Sequence, residues 1–169
     1  ADFEFDARRG GYRITHIVRG DQWEDGKSSP LGAPGIDVRP GDVLLAIGGR
    51  KLSESVTPNE LLVNQAGNQI LLTVARGRGA ARAVAVKALS DETPGRYREW
   101  VERNRQRVHE ATKGRAGYVH VPDMGPRGYA EFHRYYLAEV RRDAMLIDVE
   151  HTGMKPKVRA RKMICFVSS

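Results

Sequence analysis

The side chains able to do chemistry in this 169-residue chain are scattered, and their spacing excludes more than it permits. A serine hydrolase needs nucleophile, base and oxyanion donors converging within about 3 Å. The seven serines, Ser28, Ser29, Ser53, Ser55, Ser90, Ser168 and Ser169, stand mostly in loop-like segments, and none occupies a Gly-x-Ser-x-Gly turn. His109, His120, His133 and Asp123 lack the local His-Glu-x-x-His or Cys-His pairing that a metal centre usually uses, so structural roles are expected for them. The segment "GDQWEDGKSS" approaches a phosphate-binding loop. Five residues separate Gly20 from Gly26, one more than that motif allows, and Asp21, Glu24 and Asp25 would repel phosphate. No metal and no cofactor is expected.

The elements that must position any site read more clearly. In "GYRITHIV", Tyr12, Ile14, His16 and Val18 share one face of a strand while Arg13, Thr15 and Ile17 share the other. A loop rich in Gly, Pro, Ser and Asp follows. In "VRPGDVLLAIGGRKL", Gly41 turns the chain, Asp42 bonds to amides in that turn, and Val43, Leu44, Leu45 and Ile47 enter a core. Gly48-Gly49 then makes a two-residue hairpin. "TPNELLVNQA" predicts a helix with Thr57 as cap, Pro58 in first position, Glu60 completing a capping box and Gly67 as the stop. "QILLTVAR" and "RAVAVKAL" predict a second hairpin. The first half therefore predicts a small β-barrel with one helix set against it.

Beyond "SDETPG" the texture changes. "RYREWVERNRQRVHEAT" predicts a charged helix with Tyr97, Trp100, Val101, Val108 and Ala111 as its apolar stripe. "AGYVHV", "GYAEFHRYYLAEVRR" and "AMLIDV" predict a parallel βαβ unit, with Tyr129, Phe132, Tyr136, Leu137 and Val140 covering its sheet. The fold class is α+β, with two domains joined near residues 91–95. The divisions are 1–92, a connecting helix 93–115, a strand-helix-strand segment 116–149 and a basic tail 150–169.

A net charge of +7 would suit an anionic partner. The basic residues are dispersed, however, and no run interleaves them with aromatics, so no nucleic-acid partner is expected. No stretch is long and apolar enough for a membrane helix. The lone Cys165 excludes an intrachain disulfide and fits a cytoplasmic setting. The N-terminus lacks a secretion signal, and its want of an initiating Met reads as processing or as excision from something longer.

From "GGYRITHIV" through "GIDVRPGDVLLAIGGRKL", the capped helix and "NQILLTVAR", the chain resembles a PDZ domain of the bacterial protease type. The likeness covers residues 3–89, and Gly41 to Gly49 is its most specific part. The resemblance implies an open strand edge beside a helix, where an extended peptide or protein C-terminus adds as a strand. By the family's pattern, the loop before the first strand cradles the peptide with backbone amides. That loop falls here at Ala7 to Tyr12, where Gly10 and Gly11 permit close approach and Arg8 or Arg9 attracts a carboxylate. The edge strand is then Tyr12 to Val18, and the helix wall holds Asn59 and Val63. The expected peptide-binding residues are Arg9, Gly10, Gly11, Tyr12, Ile14, His16, Asn59 and Val63. His16 either contacts the peptide or packs, and the groove is either open or closed by segments of a parent protein.

Gly117-Tyr118-Val119-His120-Val121, Phe132-His133-Arg134 and Leu146-Ile147-Asp148-Val149 resemble, in order, the start of the catalytic domain of tricorn-type proteases and carboxy-terminal processing peptidases. This implies an incomplete βαβ unit of a crotonase-like α/β domain. Where that family continues with a glycine-rich turn of the oxyanion hole, this chain reads "EHTGMKPKVRARKMICFVSS". Gly153 is its single weak remnant. The tail shows neither helix nor strand rhythm and reads as unrelated sequence joined on. The family's nucleophilic serine and base histidine have no counterpart here. The implied function is a truncated tricorn-type serine peptidase that keeps peptide binding without catalysis. The alternative is a stand-alone PDZ adaptor. Truncation would leave one sheet face uncovered, favouring homo-oligomers through exposed apolar surface.

Overall fold

The computed structural model describes residues 1–20 and 28–150 in full and residues 161–167 as backbone. Gly153, Ser168, Ser169 and most of the loop read against the phosphate motif lie outside the described residues. The chain divides into two units, Ala1–Glu99 and Trp100–Ser169.

The first unit is a six-stranded antiparallel sheet in the order β1-β2-β3-β5-β6, with β4 paired to β3. The strands are β1 (Asp2–Asp6), β2 (Gly11–His16), β3 (Val43–Ile47), β4 (Arg50–Lys51), β5 (Gln69–Ala75) and β6 (Arg82–Lys87). Ile14, Leu44, Ile47, Leu72, Val74 and Val86 form the core, joined by Leu61 from helix α1 (Pro58–Leu61) and Leu31 from a single 3-10 turn at Pro30–Gly32. The expected small β-barrel with one open edge takes the form of an open sheet: no pairing joins β1 to β6 among the described residues. The Gly48-Gly49 hairpin forms as expected, both glycines at positive φ.

Helix α1 is shorter than its sequence predicts. Thr57 Oγ1 accepts from the Glu60 amide at 3.3 Å, so the cap is real. The helix nevertheless ends at Leu61, because Asn64 adopts φ +58 and turns the chain away. Val63 thus leaves the helix and is 62% exposed.

Gly11 is fixed by packing. A Cβ there would sit 2.5 Å from the Leu44 carbonyl oxygen and 3.0 Å from the Leu45 side chain. Gly11→Ala is therefore expected to destabilise the first unit by about 1–3 kcal/mol, as overpacking does. Chemical denaturation checks this, and an unchanged midpoint would contradict the close approach.

Helix α2 (Thr93–Ala111) crosses the division. In the second unit, β7 (Ala116–Val121) and β8 (Ala144–Glu150) are parallel and joined through helix α3 (Pro126–Glu139), as the alternation predicts. The tail differs from expectation. Arg161–Val167 forms strand β9, antiparallel to β8 with Ile147 opposite Ile164. Its Met-Ile-Cys-Phe-Val run suits a strand once β8 offers a free ladder.

Helix α3 also turns the other way from its predicted stripe. Its buried residues are Gly128, Tyr135 and Glu139, while Tyr129 is 68% and Leu137 73% exposed. Gly128 decides this, since a Cβ there would meet the Asp123 carbonyl oxygen at 1.7 Å. Tyr135 donates to Glu102 at 2.8 Å, so a polar partner holds the buried face, while Phe132 and Tyr136 are half-buried and Tyr129 turns outward. Phe132 stacks on Tyr136 at 4.9 Å and Tyr129 meets His133 edge-on at 4.4 Å.

Candidate functional groove

The site is built around β1. Asp-Phe-Glu-Phe-Asp alternates strictly, so Phe3 and Phe5 share one face and Asp2, Glu4 and Asp6 the other. Phe3 packs against the core opposite Ile14, and Phe5 lies 5.3 Å from the Tyr12 ring. β1 pairs with β2 on one side only, and its other side carries no strand among the described residues. β6, the opposite end of the sheet, packs against the Pro30–Gly32 turn. β1 is thus an end strand with no strand on its free side, although Glu92 and Arg96 bond Ala1 and Asp2 at its start.

Beside it lies a cavity of about 290 Å³. Ala1 and Phe3 of the β1 side, Asn59 and Leu62 of the α1 side, and Ile70 and Leu72 of β5 contribute to its lining. An extended edge with an apolar cavity between strand and helix can accept a strand through main-chain hydrogen bonds and an alternate side chain in the cavity.

The expected groove residues fall differently. β2 is an interior strand, with β1 on one flank and β3 on the other, Tyr12 opposite Leu44 and Arg13 opposite Val43. The Ile14 amide donates to the Asp42 carbonyl at 2.8 Å and its carbonyl accepts from Gly41 at 2.7 Å. Ile14 itself is 1% exposed. The expectation that Tyr12 to Val18 is the open edge is therefore corrected: the edge is one strand earlier.

Of the expected loop, Ala7 to Gly10 make the β1–β2 hairpin turn, while Gly11 and Tyr12 already belong to β2. Arg8 and Arg9 donate their amides to Asp6 Oδ1 at 3.1 and 3.3 Å, and Gly10 donates to the Asp6 carbonyl at 2.9 Å. Those amides are spent within the turn, so they do not form an anion cradle. Tyr12 donates its hydroxyl to the Ser53 carbonyl at 3.1 Å, and His16 Nε2 lies 2.8 Å from Glu99. Asn59 does line the cavity, while Val63 is turned to solvent and Leu62 takes its place. Phe3 and Glu4 escaped sequence reasoning, although the acid–phenylalanine alternation of residues 2–6 is itself a strand signal.

Charge around the edge is ordered. Arg13 Nη2 donates to Asp6 Oδ2 at 2.7 Å, and this bond holds the Asp6 carboxyl below its usual range. Arg96 Nη2 donates to Asp2 at 2.6 Å with the same effect. In the turn before β3, Asp42 is 1% exposed and accepts from Arg76 Nε at 2.8 Å and from Arg76 and Arg82 Nη2 at 3.0 Å each.

The other chemistry-bearing residues do not converge. His109 bonds Glu139 at 2.8 Å, His120 is buried with Trp100 edge-on at 4.8 Å, and Asp123 Oδ1 accepts from the Gly125 and Gly128 amides. Ser29 caps the 3-10 turn, and Ser53 caps the Val56 amide while bonding Ser55. Among the described residues no group of three His, Cys, Asp or Glu side chains is placed to hold a metal, and no helix is long and apolar enough to cross a membrane.

The sequence profile of the tricorn protease PDZ domain matches residues 1–91. The chain is 41% identical over 149 residues to a putative tricorn-like protease C-terminal subunit of Sulfurisphaera tokodaii, covering 88% of this chain and 17% of that protein. It is 40% identical over 149 residues to a tricorn protease homolog of Saccharolobus solfataricus, covering 88% and 14%. A crystal structure of the tricorn protease superposes with a TM-score of 0.79 at 27% identity, covering 96% of this chain and 17% of that one. The chain thus spans less than a fifth of the length of these relatives.

Proposed function

The chain belongs to the tricorn protease PDZ domain family, and on that premise we propose that it is the peptide-docking part of a tricorn-type serine peptidase. Its first unit binds an extended peptide or protein C-terminus by strand addition to β1. Its second unit is the beginning of a crotonase-like catalytic domain. Hydrolysis of peptides is the activity of the whole enzyme in this reading, and the residues here dock substrate without cleaving it. The observation that carries the proposal is the uncovered edge of β1 beside an apolar cavity of about 290 Å³. The likeness to the relatives runs over 149 residues, past the matched PDZ segment and into the second unit, which favours this reading over a PDZ adaptor. A cytoplasmic setting, in keeping with the lone Cys165, belongs to the same proposal.

The test fills the cavity. Leu62→Trp places a large ring where the guest side chain must enter, and is expected to weaken peptide binding at least about tenfold, equivalent to about 1.4 kcal/mol. Calorimetric titration measures this, with circular dichroism confirming the fold. Unaltered affinity in a folded variant would show that peptide docks elsewhere. The exposed α3 residues Tyr129 and Leu137 support self-association of the chain, and a sedimentation profile that stays monomeric at high concentration would remove that part.

A further inference from the structure

We propose that Glu4 makes the β1 groove selective for extended peptides that alternate apolar and cationic side chains, a specificity that rests on the strand-addition reading above. A guest strand beside β1 places successive side chains on opposite faces. On the inner face its residues neighbour Phe3 and Phe5, and one enters the apolar cavity. On the outer face they neighbour Asp2, Glu4 and Asp6.

Two of those three acids are already engaged, Asp2 by Arg96 and Asp6 by Arg13. Glu4 is exposed at the middle of the strand, directly opposite Arg13 of β2. Across the sheet the order is cation on β2, then anion on β1, and a cationic guest residue continues it. Opposite charges directly across an antiparallel pair attract, and like charges repel.

The long-range field points the other way. A chain of net charge +7 draws anionic ligands, so a preference for cationic peptides must come from the local acid and not from the bulk charge. A rival role for Glu4 is protection of the bare edge against pairing with another copy. In that role, neutralising it raises self-association and leaves peptide choice unaltered.

The experiment titrates the full chain with three extended peptides of identical apolar pattern whose intervening residues are Lys, Gln or Glu. The amide shifts of Asp2–Asp6 report docking. The lysine peptide is expected to bind about two- to fivefold more tightly than the glutamine peptide, and the glutamate peptide more weakly by a similar factor. Glu4→Gln should flatten the series and Glu4→Lys should reverse it. Equal affinities with shifts on β1 would overturn the selectivity and leave strand addition standing. Self-association of Glu4→Gln with the peptide series unchanged would assign Glu4 to edge protection and overturn the selectivity as well. Absence of shifts on β1 with every peptide would overturn both.

Discussion

Asp42→Ala is expected to destabilise the first unit by about 2–3 kcal/mol, less than loss of one partner of a fully buried ion pair costs, because the arginines left behind are 41% and 31% exposed and regain water. Asp42 is 1% exposed and accepts from both Arg76 and Arg82, as well as from the Arg39 amide at 3.2 Å. It thereby ties the turn before β3 to β5 and β6. Arg76 also reaches Asp37, and Arg82 bonds the Asp37 carbonyl, so the carboxylate centres a network and not a single pair. Alanine would leave two guanidinium groups without their inner acceptor. Burial pushes the Asp42 carboxyl up, but the arginine bonds and the Arg39 amide outweigh it and hold the group below its usual range. A carboxyl depressed in the folded state contributes stability above its unfolded value, near about 4, and loses it as pH falls through the lower folded value. Wild-type stability should therefore fall in acid below about pH 4, and Asp42→Ala should show a shallower fall. Urea denaturation across acid pH reads both; a variant as stable as wild type would refute the network's role.

Glu139→Ala is expected to destabilise the second unit by a comparable amount, about 2–3 kcal/mol, since its partners are partly exposed. Glu139 is 1% exposed at the end of α3 and bonds Arg105 at 3.1 Å, His109 at 2.8 Å and Arg142 at 2.6 Å. Burial raises its carboxyl, yet the bonds from His109, Arg105 and Arg142 prevail and depress it. The sign is the same as for Asp42: the contribution is present above the ordinary glutamate range and disappears as pH falls below it. Hydrogen exchange at β7 amides should accelerate in the variant while those of β3 stay protected. Uniform acceleration in both units, or none in β7, would contradict a local role.

How much of this was legible in the sequence varies with the range of the interactions. The Gly48-Gly49 hairpin, the Thr57 cap and the βαβ alternation depend on near neighbours, and they appear where residue type and spacing place them. The groove's edge depends on which strand lies outermost, a long-range pairing that no local pattern encodes. The glycine pair at 10 and 11 resembled a ligand cradle, but its neighbouring amides turn inward to Asp6. Asp42 read as a turn residue because its arginine partners lie 34 and 40 residues away. The aromatic stripe of α3 misled for a different reason. Hydrophobic periodicity assumes an apolar interface, and this helix instead buries a glycine, a tyrosine hydroxyl and a carboxylate. The tail concealed β9 because its basic residues masked a short apolar run.

The central claim is that β1, not β2, receives a guest backbone. Chemical-shift mapping with an extended peptide tests it most directly. The account predicts that amides of Asp2–Asp6 and the side chain of Asn59 move on titration, while those of Tyr12 to His16 stay in place behind them. Shifts concentrated on Tyr12 to His16, with β1 unmoved, would contradict it.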